Sequence, residues 1–208
     1  MVKNMKKIIC YGDSNTFGFN PKDGSKYDDD IIWTFQLQKI LKDKYVVINE
    51  GMCDRTGFVN NPNGFMFSGP KHFPKLIAKS DEIDVLILWI GINDLQFQYD
   101  ISMNSIEKGL ENLIQIAKSK AKNIIIVAPV ILNEQILEGF FKCKFDKTSI
   151  IKSRKVGRIF RMLANVYYLG FLDLNKFVKP SIDGLHYDAA SHKIIAEKFA
   201  EYINNYYC

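Results

Sequence analysis

Five short apolar runs, at residues 7–11, 45–49, 84–90, 123–128 and 170–174, constrain this chain more than any other feature. Most are rich in Ile and Val, and they do not alternate apolar with polar residues. A strand with one face in water alternates, whereas a strand covered on both faces reads as a continuous apolar run. The intervening stretches carry helical spacing. Residues 33–41 follow the first run, and Ile106, Leu110, Leu113, Ile114 and Ala117 mark an amphipathic helix. Val156, Ile159, Phe160, Leu163 and Tyr167 mark another, and Ile195, Phe199, Tyr202, Ile203 and Tyr206 a third near the C-terminus. Strands alternating with helices predict an α/β protein, a three-layer α/β/α arrangement with a roughly five-stranded parallel sheet. Right-handed crossovers then favour the flavodoxin-like strand order 2-1-3-4-5.

The chain of 208 residues suits one domain, taken as 1–208. At 47% hydrophobic and 25% charged it can build a core without disulfides. Its four cysteines (Cys10, Cys53, Cys143, Cys208) are scattered, and with the histidines dispersed there is no zinc motif. Lys3, Lys6 and Lys7 superficially resemble the start of a signal peptide, but the apolar stretch behind them stops at Gly12. No segment is long enough to span a membrane. These features predict a cytoplasmic protein with reduced thiols and no membrane partner; a homo-oligomer is left open. Much of the +5 net charge lies between Lys142 and Arg161. The apolar spacing of that helix puts its basic residues on the opposite, solvated face, which argues against a nucleic-acid partner.

Two stretches fit the alternation less well. Residues 54–79 hold Pro62, Pro70, Pro74 and several glycines, and read as a long loop with room for one helical turn. Residues 133–147 read as a second loop carrying Phe140, Phe141 and Phe145. These phenylalanines, with Phe17 and Phe19, are candidate pocket walls or simply core.

In such a sheet, ligands bind beyond the carboxyl ends of the strands. The first strand ends in "GDSN", the second in "NEGMCDRT" and the third in "GIND", and the fifth is followed by "SIDGLHYD". Each cluster has an ordinary reading. Gly-Asp-Ser-Asn is common turn chemistry, "GIND" is compatible with a cap at Asn93 or Asp94, and Asp183-Gly184 is a turn beside a chance histidine. Of the three histidines, His72 reads as a surface residue and His192 as exposed or capping. His186 differs, because a short turn can fold Asp183 back onto its ring. Together, Ser14, His186 and Asp183 supply a nucleophile, a base and a group that orients the base, while backbone N–H groups and Asn93 supply donors for an oxyanion.

At these residues the sequence resembles the SGNH hydrolases, or GDSL-type esterases, over nearly its whole length. "YGDSNTFG" resembles their first block, with Asn15 in place of Leu; "NEGMCDRT" resembles the second, "GIND" the third and "DGLH" the last. The bacterial arylesterase and acyltransferase type is the subgroup it most resembles. The resemblance implies a serine esterase or acylhydrolase acting on small carboxylic esters through an acyl-enzyme on Ser14, with acyl transfer to alcohols also open. Asp183 and His186 complete the triad, and the oxyanion hole is formed by the Ser14 N–H, the Asn93 side-chain amide and the Asp54 backbone N–H. No metal or organic cofactor is implied. The competing reading is a non-catalytic, flavodoxin-like small-molecule-binding module.

Two expectations carry physics that the fold can answer. Asp183 beside the His186 ring would favour the imidazolium and raise its pKa above ~6.5. Asp54 stands where the resembling proteins have Gly or Ala, and a carboxylate beside an oxyanion is an electrostatic liability. Its side chain is therefore expected to face away from Ser14 and to contact a cation or solvent, a basic residue from another loop being the favoured partner.

Overall fold

The computed structural model describes residues 5–207; Lys3 and Cys208 lie outside them. Among the described residues five parallel strands, β1 Lys6–Gly12, β2 Tyr45–Gly51, β3 Ile83–Trp89, β4 Ala121–Val127 and β5 Gly170–Leu172, form one sheet in the order β2-β1-β3-β4-β5. All five follow the apolar runs, and the order is the flavodoxin-like one. In β1 and β3 nearly every side chain is buried on both faces, which is why these segments do not alternate.

Among the described residues six helices cover the sheet: α1 Ser14–Phe17, α2 Trp33–Leu41, α3 Gly69–Lys79, α4 Met103–Ala117, α5 Lys147–Val166 and α6 Ala189–Tyr206. Helix α2 packs on α6, whereas α4 packs against α3 and α5, giving two helical layers. Trp33 joins the first of these by stacking on Phe199, their ring centroids 4.6 Å apart. No helix among the described residues is long and apolar enough to cross a membrane.

Helix α3 corrects the reading of residues 54–79 as loop. Pro70 falls in its first turn, where no N–H is needed. Pro74 sits inside the helix and removes one internal bond. The apolar residues Phe73 and Ile77, four apart, anchor the helix to the core and outweigh that loss. The loop at 133–147 is wound into two short 3₁₀ turns, Glu134–Leu137 and Phe140–Cys143.

The sheet register aligns the polar clusters. Gly12 at the end of β1 pairs with Gly51 on one side and Trp89 on the other. Three chain segments therefore leave the sheet at one level. Gly51 is required there: a Cβ would lie 2.2 Å from the Phe17 backbone nitrogen, so only glycine lets β2 approach α1 this closely.

Candidate active site

Ser14 is the first residue of α1, immediately after β1. Asp13 caps this short helix by accepting the Asn15 N–H at 3.0 Å, and Gly18 ends it in the left-handed region at φ 96°. The first N–H groups of a helix have no intrahelical acceptor, so the Ser14 N–H is free to face a ligand. Ser14 is buried, 4% exposed. The side chain of Asn15, the residue in place of Leu, donates to the Leu185 carbonyl at 3.3 Å and so ties the serine turn to the histidine loop.

His186 Nε2 lies 2.7 Å from Ser14 Oγ, and His186 Nδ1 lies 2.6 Å from Asp183 Oδ2. The other Asp183 oxygen accepts the backbone N–H groups of Leu185 and His186 at 2.9 and 2.8 Å. Gly184 makes this tight return possible. It sits at φ 78°, and a Cβ there would fall 2.5 Å from the Ile136 nitrogen. Ser14, His186 and Asp183 thus form one hydrogen-bonded line.

Phe19 and Phe141 pack on the His186 ring, with centroids 4.2 and 5.2 Å away. This apolar casing reverses the expected pKa shift. Burial disfavours the imidazolium and outweighs Asp183, so His186 lies below the ordinary histidine value. Burial also pushes the Asp183 carboxyl up, but its hydrogen bonds with the His186 ring and backbone prevail and hold it below the usual carboxylate value. Beyond Asp183 lies a groove of roughly 570 Å³ with Phe19, Phe140, Phe141 and Ile182 on its walls.

Asn93 occupies a 3₁₀ turn just past β3 and is 3% exposed. Its Nδ2 donates to the Arg55 carbonyl at 3.0 Å, leaving one amide hydrogen unused by that bond. The neighbouring Asp94 accepts the backbone N–H groups of Gly57, Phe58 and Val59 at 2.6, 2.7 and 2.9 Å. It pins the loop after β2 to the turn after β3 rather than capping an α-helix. Burial pushes its carboxyl up to about 6.

Asp54 has φ 60°, and its backbone N–H has no acceptor among the described residues. Its carboxylate meets Lys144, 2.8 Å away on the aromatic loop, together with Gln96 and Asn63.

Several residues of this site escaped the sequence reading. Arg55 is fully buried: its guanidinium donates to the carbonyls of Gly12, Glu50 and Met66 and lies 4.6 Å from the centre of the Tyr11 ring. It fastens the ends of β1 and β2 together. Two histidines require correction. His72 is buried against Tyr11, not on the surface; desolvation, aided by the Arg55 charge, lowers it to about 4. His192 is also buried rather than exposed, and its Nδ1 accepts the Trp33 N–H at the start of α2. Among the described residues no group of three or more His, Cys, Asp or Glu side chains is placed to hold a metal ion.

The sequence profile of the GDSL-like lipase/acylhydrolase family matches residues 10–194. A search of curated proteins finds no significant match. Among solved structures, an aryl esterase from M. smegmatis superposes with a TM-score of 0.88 at 24% identity, covering 96% of this chain and 99% of its own. A carbohydrate acetylesterase from Sinorhizobium meliloti superposes with a TM-score of 0.85 at 24% identity, with the same coverage of both chains. A member of the lipolytic protein G-D-S-L family from Veillonella parvula gives 0.73 at 15% identity, covering 96% of this chain and 98% of its own. At these identities the structures share the fold.

Proposed function

The chain belongs to the GDSL-like lipase/acylhydrolase family and is an SGNH-type ester hydrolase, and from that premise we propose that it cleaves small carboxylic esters through an acyl-enzyme on Ser14. The observation that carries this reading is the continuous line from Asp183 through His186 to Ser14, with contacts of 2.6 and 2.7 Å.

Ser14 Oγ attacks the ester carbonyl carbon while His186 Nε2 takes the hydroxyl proton. Asp183 keeps the other ring proton on Nδ1 and stabilises the imidazolium that forms. The oxyanion is received by the Ser14 and Asp54 backbone N–H groups and the spare hydrogen of Asn93 Nδ2. Collapse of the tetrahedral intermediate expels the alcohol, which takes the proton from His186. Water, deprotonated by the same ring, then attacks the acyl carbon and releases the acid and Ser14. An alcohol in place of water would yield a new ester. The phenylalanine-lined groove beside Asp183 supports an apolar group on one side of the ester bond.

Turnover of p-nitrophenyl acetate tests the reading. Ser14→Ala is expected to lose on the order of 10⁴–10⁶ in rate with its melting transition intact. Near-full activity in the pure variant would overturn the mechanism. Adding a primary alcohol and assaying for its acetate ester tests the transfer branch.

A further inference from the structure

The Asp54 carboxylate is an acceptor held by donors from three other segments. Oδ1 receives Lys144 Nζ and Gln96 Nε2, each at 2.8 Å, and Oδ2 receives Asn63 Nδ2 at 3.0 Å. Gln96 Nε2 also lies 3.2 Å from Asn93 Oδ1, and Gln96 Oε1 accepts Gln98 Nε2 at 2.9 Å. These contacts have a direction. A carboxylate can only accept, so it selects the NH₂ end of Gln96; that NH₂ can only donate, so it selects the oxygen end of Asn93. Asn93 Nδ2 is then left toward the Arg55 carbonyl, with its second hydrogen available. An amide turned the other way would present its oxygen to a developing oxyanion and repel it.

Lys144 closes the arrangement from the other side. Its backbone N–H donates to the Phe141 carbonyl at 2.9 Å, and its carbonyl accepts the Phe97 N–H at 3.0 Å. Phe141 is one of the two rings packed on His186. The ion pair is partly buried, with side chains 31% and 18% exposed, so water screens it only in part.

We propose that Asp54 and Lys144 are a positioning pair: the ion pair fixes the polarity of the Gln96–Asn93 relay, and so the orientation of the oxyanion amide, while anchoring the loop that encloses His186. This rests on the serine-esterase reading and assigns the pair a task in it. On charge alone, removing Asp54 would keep or raise kcat, because a nearby negative charge disappears. The relay gives the opposite sign.

The experiment measures kcat and KM for p-nitrophenyl acetate in Asp54→Asn, Lys144→Met, the double variant and Lys144→Arg. Asp54→Asn keeps the backbone N–H but offers Gln96 an amide of either polarity. It is expected to lower kcat about tenfold with KM within about twofold, since the loss falls on transition-state binding. Lys144→Met is expected to act in the same direction. The double variant should be no worse than the more impaired single variant, because the two share one interaction. Lys144→Arg restores the cation and is expected to restore kcat to within about threefold of the wild type. An unchanged or raised kcat in Asp54→Asn, additive losses, or a loss confined to KM would overturn the pairing. If Asp54→Asn fails to fold, Lys144→Met decides, since its side chain is only partly buried. Wild-type turnover that ignores Ser14→Ala overturns the serine mechanism and the pairing together; Ser14-dependent turnover with indifferent pair variants overturns the pairing alone.

Discussion

The ring of His186 has a carboxylate on one nitrogen and phenylalanines on its faces, and these act on its proton affinity in opposite directions. Burial prevails, so the ring stays neutral to lower pH than a free histidine does. Following the rate of ester hydrolysis with pH, kcat/KM is expected to rise through a midpoint below ~6.5 and to be level by neutral pH. Asp13, behind the serine turn, is pushed up to about 7 by burial, and Asp94 beside Asn93 to about 6, so both titrate near this range. Asp13→Asn keeps an acceptor for the Asn15 N–H and should leave the midpoint in place; a midpoint that vanishes in this variant would assign the titration to Asp13 instead. Charge reasoning on the sequence alone gave the wrong sign here. The carboxylate was visible three residues upstream, but the aromatic casing comes from Phe19 and Phe141, far from His186 in the chain.

At the scale of elements, helix α5 shows how a local signal becomes a positioning device. Asp146 and Ser149 form a capping box, and the Ser149 hydroxyl also donates to the Leu95 carbonyl at 2.6 Å. The helix start is thereby bolted to the turn that carries Asn93. Asp146→Ala is expected to cost about 1 kcal/mol, seen as a fall of about 2–4 °C in the melting midpoint. No measurable fall would mean that packing alone sets this helix start. The strands and most helices were legible because their apolar spacing is dictated by faces covered along their whole length. Helix α3 was not, because its prolines argue locally against a helix that tertiary burial of Phe73 and Ile77 nevertheless stabilises. Ser14 and Asn93 could be singled out because they stand just past strand ends that the topology aligns, and Asp183 and His186 because their three-residue spacing lets a short turn join them. The cation opposite Asp54 could be anticipated in kind, but its identity as Lys144, 90 residues away, depends on how two loops meet.

Across the whole molecule, segments remote in sequence control one another's ionisation. His192 on α6 accepts the first N–H of α2, and its Nε2 is buried with no hydrogen-bond partner among the described residues. Burial lowers its pKa from 6.5 to about 4. A group depressed in the folded state contributes stability that is present above pH 6.5 and lost as pH falls toward 4. Over that interval the contribution amounts to about 3 kcal/mol. Urea unfolding of wild type and His192→Gln at pH 7 and pH 4.5 should show the wild type losing ground to the variant on acidification; a gap independent of pH would contradict this. The same long reach has a consequence in time. Ser14 and His186 are 172 residues apart in sequence. At a synthesis rate of about 5–20 residues per second, the serine leaves the ribosome's catalytic centre roughly 9–34 s before the proposed base exists. Throughout that interval Ser14 is an ordinary alcohol with nothing to take its proton. On the proposed mechanism a nascent chain therefore meets esters chemically inert, and Ser14 becomes a nucleophile only when the last strand and helix dock.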